Sequence, residues 1–153
     1  MVYTKLDAHL NAARGYARLS HAKRLKVGAV LVKDDRIISI GYNGTVSGAN
    51  NTCEYVVDGE LVTKPGVVHA EMNVISFAAK AGVSTDGCSL VVTHSPCYEC
   101  SKIIIQSGIE RVYYKEKYRD ETAINFLRES GITVIKIRSK NEEKTRTTKE
   151  KSR

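Results

Sequence analysis

Two short segments of the chain carry side chains that together could hold a catalytic zinc ion. They are H-A-E at 69–71 and P-C-Y-E-C at 96–100. The imidazole of His69 and the thiolates of Cys97 and Cys100 make three protein ligands, which leaves the fourth tetrahedral position of zinc for water. Glu71 lies two residues from the histidine, where its carboxylate could carry protons. The spacing therefore predicts zinc-assisted hydrolytic chemistry.

Each segment taken alone has a simpler interpretation. A C-x-x-C pair also occurs in half zinc knuckles and redox pairs, and H-A-E is common by chance. A structural zinc would need a fourth ligand, for which His94, three residues before Cys97, is the candidate. We expect instead that His94 ends a strand and lines the pocket. The order of the two segments, with Pro96 before the first cysteine, favours a catalytic site.

The elements around these segments must bring the three ligands together. Apolar residues recur with helical period after His69 and after Cys97, so helices are predicted over 69–81 and 97–107. The partial positive charge at two helix N-termini would stabilise thiolates over thiols. Pro96 suits a chain that enters a helix, because it needs no backbone donor there.

The rest of the pattern predicts one α/β domain over residues 1–137. The predicted elements are a helix at 4–19, a hairpin of strands 27–33 and 36–42 that turns at Asp34-Asp35, a long loop or minor hairpin at 43–66, strand 89–93, strand 111–115, helix 120–130 and strand 132–137. Strands that alternate with helices in the second half indicate parallel pairing in a layered sheet.

The charge distribution argues against a nucleic-acid partner. The 153-residue chain has a formal net charge of +7, but residues 138–153 contain seven Lys or Arg against three Glu, so +4 of the +7 lies there. This segment lacks apolar periodicity and is predicted to be a disordered basic tail. The sequence shows no stripe of aromatic residues interleaved with basic ones, so no specific nucleic acid is expected.

The lengths of the apolar runs and the roles assigned to the cysteines predict where in the cell the protein is located. No run approaches the roughly 20 residues of a membrane span, and the N-terminus shows no signal-peptide pattern, so no membrane association and a cytoplasmic location are expected. Two of the four cysteines are assigned to zinc, which suits a reducing compartment. Cys88, before an apolar run, is expected to be a small buried or half-buried thiol.

The motifs taken together resemble a known family. H-x-E followed by P-C-x-x-C is the signature of zinc deaminases that act on nucleobases. The chain resembles deoxycytidylate (dCMP) deaminases of the cytidine deaminase superfamily over about residues 1–137. The similar segments outside the zinc motifs are V-G-A-V at 27–30, G-Y-N-G at 41–44 and Y-R at 118–119. The resemblance implies a cytidine-deaminase-like α/β/α layered sandwich with a mixed five-stranded sheet, a homohexamer, and control by deoxynucleoside triphosphates.

The resemblance also implies the reaction and the residues that contact the substrate. A water activated by zinc would attack C4 of the cytosine in dCMP, giving dUMP and ammonia, while Glu71 moves the protons. The implied substrate contacts are Arg24, Asn43, Ala70, Phe77, Tyr118 and Arg119. Several have simpler alternatives: Asn43 could form an Asn-Gly turn, Phe77 could fill the core, and Arg24 could be a surface charge.

Regulation and metal content follow from the same resemblance. The loop from Gly44 to Asn51 resembles the region where family members bind dCTP or dTTP with magnesium between subunits. Its candidate residues are Gly44, Gly48, Asn50 and Asn51, whose backbone amides could cradle phosphates. Certain viral members hold a second, structural zinc. Here His21 and Cys53 are too few for a closed four-ligand site, so one zinc per chain is expected.

Two other functions remain open at this point. A tRNA-type adenosine deaminase would share the zinc motifs and show salt-dependent affinity for RNA. A non-catalytic zinc-binding interaction module would use the basic tail. Glu71 argues against the second function, because a structural zinc needs no carboxylate at that position.

Overall fold

Helices and strands alternate along the part of the chain that the computed structural model describes, which is residues 2–118, 121–139 and 142. In chain order they are α1 (Lys5–Ala17), β1 (Gly28–Lys33), β2 (Arg36–Tyr42), β3 (Gly44–Thr45), β4 (Glu54–Val57), β5 (Glu60–Thr63), β6 (Val67–Val68), α2 (Ala70–Lys80), β7 (Ser89–His94), α3 (Tyr98–Gln106), β8 (Arg111–Glu116), α4 (Thr122–Glu129) and β9 (Thr133–Lys136). The predicted helices and major strands are confirmed, and their described ends differ from the predicted ones by no more than two residues.

The five major strands form one mixed sheet in the order β2-β1-β7-β8-β9. β1 pairs antiparallel with β2 and β7, whereas the pairs β7–β8 and β8–β9 are parallel. Parallel neighbours require a crossover, and α3 and α4 supply the two that are needed. The carboxyl ends of β7 and β8 therefore meet at one edge, where His94 lies opposite Glu116.

Two hydrophobic clusters fill the two faces of this sheet. Alternating residues of β1 divide between them: Ala29 and Leu31 face the side covered by α2, α3 and α4, whereas Val30 and Val32 face α1. The arrangement is three layers, with α1 on one face and three helices on the other. The predicted α/β/α sandwich with a mixed five-stranded sheet is confirmed.

Gly41 determines how closely α2 approaches the sheet. A Cβ built on Gly41 would lie 2.6 Å from the backbone nitrogen of Val74 and 2.7 Å from the carbonyl oxygen of Ala70. Any side chain at this position would therefore push the first turns of α2 away from β2. Because His69 immediately precedes α2, this close packing also fixes the first half of the predicted zinc site.

The segment between β2 and α2 forms minor β-structure, one of the two forms that the sequence left open. β4 and β5 make an antiparallel hairpin that turns at Asp58 and Gly59, both with positive φ. β3 and β6 make a separate two-stranded sheet. The Asp34-Asp35 turn between β1 and β2 is also as predicted, with φ of 50° and 59° at its two residues.

The predicted basic tail, residues 138–153, lies for the most part outside the described residues. Among the described helices, none has the length and apolar character needed to cross a membrane. Cys88 is buried, the first of the two states that the sequence left open.

Candidate active site

The three predicted zinc ligands converge at the N-termini of α2 and α3. His69 is the N-cap residue of α2, and Cys97 is the N-cap residue of α3. Both have extended backbone conformations, and the Cys97 sulfur accepts a hydrogen bond from the Cys100 N–H. The His69 Nδ1 atom lies 3.4 Å from the sulfur of Cys97 and 3.4 Å from that of Cys100.

These separations fit a zinc ion. In a tetrahedral site with Zn–N near 2.0 Å and Zn–S near 2.3 Å, the nitrogen and sulfur ligands are about 3.5 Å apart. The three ligand atoms all lie within 4.8 Å of one another. In the described ranges of the chain, this is the one set of three or more His, Cys, Asp or Glu side chains positioned to hold a metal ion.

The two cysteines are electrostatically coupled. Hydrogen bonding from the Cys100 thiol, helped by His69, lowers the pKa of Cys97 to about 3. The same hydrogen bond, together with burial, raises the pKa of Cys100. Without a cation, the pair therefore holds one proton between the two sulfurs. A zinc ion bound by two thiolates must displace that proton.

Glu71 lies in the first turn of α2, beside the metal ligands. It is only 5% exposed, and burial raises the pKa of its carboxyl group despite the opposing effect of the N-terminal backbone amides. Its side chain is also a hydrogen-bond partner of Cys100. A carboxyl group whose pKa is raised by burial holds a proton more readily than an exposed one, which suits a residue that must accept a proton and release it again.

A cavity of about 460 Å³ opens beside these residues. It contains His69, Glu71 and Cys97 and is further lined by Ala22, Arg24, Leu25, Val27, Asn43, Glu54, Thr63, Val67, His94, Ser95, Glu116, Lys117 and Tyr118. Its size falls within the range typical of small-molecule sites. A small substrate therefore has room to reach the metal ligands and the carboxyl group together.

The family model for the cytidine and deoxycytidylate deaminase zinc-binding region matches residues 4–116. The chain belongs to this family. The matched range includes both zinc motifs.

Relatives and solved structures agree with this assignment. The chain is 41% identical to ComE operon protein 2 of Bacillus subtilis, over 88% of this chain and 69% of that protein. It is 35% identical to the deoxycytidylate deaminase of Enterobacteria phage T4, over 76% of this chain and 81% of that protein. The dCMP deaminase of cyanophage S-TIM5, in complex with dCMP and dUMP, has a TM-score of 0.81 and 40% identity over 90% of this chain and 100% of that one. The chain is thus a zinc-dependent hydrolytic deaminase of this family.

The structure brings Arg24 and Tyr118 of this deaminase to the cavity. Arg24 donates a hydrogen bond from Nη1 to the hydroxyl oxygen of Thr63, at 3.0 Å. The backbone N–H of Tyr118 donates to the Ser95 hydroxyl oxygen at 2.7 Å. Arg119, the other predicted phosphate contact, lies outside the described residues.

Asn43 also lines the cavity, but its amide group has structural partners. Its Oδ1 accepts a hydrogen bond from the Val27 N–H, and its Nδ2 donates to the Leu25 carbonyl oxygen. The Asn-Gly turn considered from the sequence does not form, because Gly44 lies in β3. Asn43 therefore fixes the segment before β1, and one amide hydrogen remains for a ligand.

Phe77 and Ala70 are placed differently from the other predicted contacts. The Phe77 side chain is 47% exposed, so the interpretation of Phe77 as a core residue is wrong. It lines a second cavity and is not among the residues that line the first. Ala70 is fully buried at the start of α2 and does not contribute to the lining of the first cavity either.

The second cavity, of about 510 Å³, contains most of the predicted regulatory residues. Gly44, Gly48 and Asn51 line it, together with Phe77. Asn50 is not among its lining residues; its side-chain oxygen accepts a hydrogen bond from the Thr52 N–H. Gly48 has φ of 84°, a backbone conformation that favours glycine.

His94 ends β7 and lines the first cavity, as predicted. Its Nδ1 atom lies 2.8 Å from the hydroxyl oxygen of Thr93, which also accepts a hydrogen bond from the Gly28 N–H. The Thr93 hydroxyl group is therefore best placed to donate to Nδ1, which favours the tautomer with hydrogen on Nε2. Burial lowers the pKa of His94, although Glu116 opposes the shift.

Sequence reasoning missed several residues of the cavity. Glu54, Thr63, Ser95, Glu116 and Lys117 all line it. The sequence carries a weak signal for two of them, since Ser95 and Lys117 flank recognised motifs. Glu54 and Thr63 lie in the segment between β2 and α2, where no local pattern indicated that the hairpin would return to the active site.

Proposed function

We propose that this protein deaminates dCMP hydrolytically to dUMP and ammonia. The observation that carries the proposal is a single cavity lined by two of the three zinc ligands, a buried proton carrier and two cationic side chains. The ligand set and Glu71 suit deamination of a nucleobase. Arg24 gives the same cavity a positive charge that suits a 5′-phosphate, and Lys117, whose ammonium group is paired with Glu121, adds a second cation. The S-TIM5 structure in complex with dCMP and dUMP supports the same substrate.

One of the carboxylates in the lining, that of Glu54, is already engaged by backbone donors. Glu54 is 6% exposed, and one of its oxygens accepts hydrogen bonds from the N–H groups of Lys23 and Arg24. Its negative charge is thereby partly compensated by backbone dipoles. Glu116 lies at the end of β8, opposite His94. Arg24 keeps the N–H groups that Thr63 does not use available for a phosphate oxygen.

The protein's own residues account for the proton transfers. Zinc held by His69, Cys97 and Cys100 would lower the pKa of a water molecule from about 15.7 towards about 7 and so supply the nucleophile. Glu71 accepts the proton of that water and delivers it to N3 of cytosine, which makes C4 electrophilic. The carboxyl group then assists departure of the 4-amino group as ammonia. Its buried position beside Cys100 keeps it within the reacting region.

Ultraviolet monitoring of deamination across dCMP, deoxycytidine, dCTP and cytosine tests this assignment. We expect dCMP to have the highest kcat/KM, and we expect removal of zinc by a chelator to abolish turnover. A preference for deoxycytidine or cytosine would reject the phosphate contacts. Salt-dependent binding of RNA together with deamination of adenosine would instead favour a tRNA-type adenosine deaminase.

Regulation forms a second part of the proposal. We assign dCTP or dTTP, with Mg²⁺, to the second cavity, because its glycine-containing loop and its size suit a nucleotide. In the same proposal the protein is a homohexamer, because the resemblance places this ligand between subunits. It acts in the cytoplasm, where thiolate ligands stay reduced.

Two measurements test the regulatory ligand and the homohexamer independently. Addition of dCTP or dTTP with Mg²⁺ should change dCMP turnover, and sedimentation equilibrium should report six chains. Turnover that responds to neither triphosphate would remove the regulatory assignment while leaving the reaction intact. A smaller particle would remove the hexamer.

A further inference from the structure

The hairpin formed by β4 and β5 exposes apolar side chains and buries a carboxylate. Its apolar residues Tyr55, Val56 and Leu61 are exposed, with Val56 at 66%. In contrast, its open end carries the buried carboxylate of Glu54, paired across the strands with Thr63. A hydrogen bond from the Lys64 N–H to the Cys53 carbonyl oxygen, at 2.8 Å, extends this pairing beyond the two strands. The end of the hairpin that is buried against the rest of the protein is thus its polar end.

This polar end contacts Arg24 at two separate points. The Glu54 Oε1 atom accepts hydrogen bonds from the backbone N–H groups of Lys23, at 2.7 Å, and Arg24, at 3.1 Å. The Thr63 hydroxyl oxygen accepts a hydrogen bond from the Arg24 guanidinium group, at 3.0 Å. One strand therefore fixes the main chain of Arg24, and its partner strand fixes the side chain.

Both contacts occur at the cavity that contains the zinc ligands. Arg24, Glu54 and Thr63 all line it. Arg24 itself is exposed, so without Thr63 its guanidinium group would sample many rotamers in water. A long side chain that is already oriented loses less entropy when it binds a ligand.

We propose that Thr63, on a hairpin end anchored by Glu54, is a positioning residue for phosphate recognition. It orients the Arg24 guanidinium group before the substrate arrives and thereby contributes to selection of the nucleotide over the nucleoside. This role rests on the proposed function, because it assumes that Arg24 contacts the 5′-phosphate. Thr63 acts through Arg24, so its effect must vanish when either Arg24 or the phosphate is absent.

The test uses matched variants of the zinc-loaded, full-length protein, with zinc content and melting temperature measured for each. Thr63→Val removes the acceptor oxygen at nearly constant volume, and Thr63→Ser retains it. Thr133→Val makes the same change at an exposed position of β9. Thr63→Val is also combined with Arg24→Ala to form a double-mutant cycle. The values of kcat and KM are measured for dCMP and for deoxycytidine.

Thr63→Val is expected to raise the KM for dCMP roughly three- to tenfold, the effect of releasing one ordered side chain, with kcat changed less than about twofold. Its kcat/KM for deoxycytidine should stay within about twofold of the wild-type value, since no phosphate is present. Thr63→Ser and Thr133→Val should behave like the wild type. In the Arg24→Ala background, Thr63→Val should have no further effect.

Three results would overturn the positioning role. They are an unchanged KM for dCMP in Thr63→Val, equal losses for both substrates, and a loss that persists in the Arg24→Ala background. The proposed function is judged separately by the wild type. A wild type that prefers dCMP, with Thr63→Val indistinguishable from it, overturns the positioning role alone. A wild type that processes deoxycytidine as efficiently as dCMP overturns the proposed function and this role with it.

Discussion

Two regions of the cavity are held in place by different kinds of structure. The metal corner, defined as His69, Glu71, Cys97 and Cys100, is built on the N-termini of α2 and α3. Each first turn has a buried residue in or next to the ligand site, with Ala70 at 0% and Cys100 at 1% exposed. The second region, which we call the cationic lining, consists of the cations Arg24 and Lys117 together with the neighbouring Tyr118. These residues lie on segments that connect helices and strands.

Hydrogen bonds between distant parts of the sequence hold Arg24 and Tyr118, whereas Lys117 is paired with Glu121 four residues away. Arg24 bonds to residues 30 and 39 positions away, and Tyr118 to one 23 positions away. From this comparison we expect the packed helix starts to govern the chemistry and the polar contacts of the connecting segments to govern substrate choice. Changes in the metal corner should therefore affect every substrate, and changes in the cationic lining should affect only phosphorylated ones.

Loss of a metal ligand should have the largest effect. We expect Cys97→Ala to lower zinc content and abolish deamination of all substrates, because two ligands cannot hold a catalytic zinc tightly. The measurement is zinc per chain by atomic emission, together with turnover. Cys88→Ala, at a buried cysteine outside the site, is the matched control and should keep both. A fully zinc-loaded and active Cys97→Ala protein would remove this cysteine from the metal corner.

Glu71→Gln should retain zinc and lower kcat by about 10²–10⁴-fold, the range for lost acid–base catalysis. The amide keeps the shape of the side chain but cannot accept the proton. Turnover is measured on protein with verified zinc content, and Glu99→Gln, an exposed position in the first turn of α3, is the control. The loss should be similar for dCMP and deoxycytidine. Near-normal turnover in a zinc-loaded Glu71→Gln protein would reject Glu71 as the proton carrier.

Arg24→Ala should distinguish the role of the cationic lining from that of the metal corner. We expect kcat/KM for dCMP to fall roughly ten- to a hundredfold, as for loss of a hydrogen bond to a charged group, with little change for deoxycytidine. Arg36→Ala, an exposed arginine at the start of β2, serves as the control. The family resemblance predicts the same selective loss for Arg119→Ala. Equal losses for both substrates would make either arginine structural.

The affinity of the metal corner for zinc should depend on pH. Hydrogen bonding lowers the pKa of Cys97 and raises that of Cys100, so zinc must displace the proton that the pair shares. Protons therefore compete with zinc, and affinity should fall as pH falls, by about tenfold per pH unit for each proton displaced. Competition with a chromogenic chelator, carried out at several values between about pH 6 and about pH 8, measures the zinc affinity at each pH. An affinity independent of pH would contradict the shared proton.

Deletion of the residues after Ser139 should have the smallest effect. The recognised motifs end before the tail, and its composition cannot supply a core, so activity and substrate preference should stay within about twofold of the wild type. Removing the tail should also weaken incidental binding to nucleic acid, measured at fixed salt. A truncated protein that is folded and zinc-loaded but inactive on dCMP would give the tail a role in catalysis or assembly.

The metal corner was predictable from the sequence because each half is local. Residues 69–71 and 97–100 lie within single helical turns, and helix starts direct such neighbours to one point. The elements of the sheet were predictable for the same reason, since hydrophobic period is a local property. The contacts of Glu54 and Thr63 were not predictable, because they depend on how a hairpin folds back over 30 or more residues. Phe77 shows the same limit: the sequence left open whether it contacts the substrate or fills the core, and in the structure it lines a second cavity.

A crystal structure of zinc-loaded Glu71→Gln protein with dCMP tests the division between the two regions most directly. The substitution slows turnover, so the substrate itself can be observed. We predict that the cytosine ring lies against the metal corner and that the phosphate accepts hydrogen bonds from Arg24. A phosphate that lies away from Arg24, Lys117 and Tyr118, or a nucleotide bound in the second cavity alone, would contradict the account.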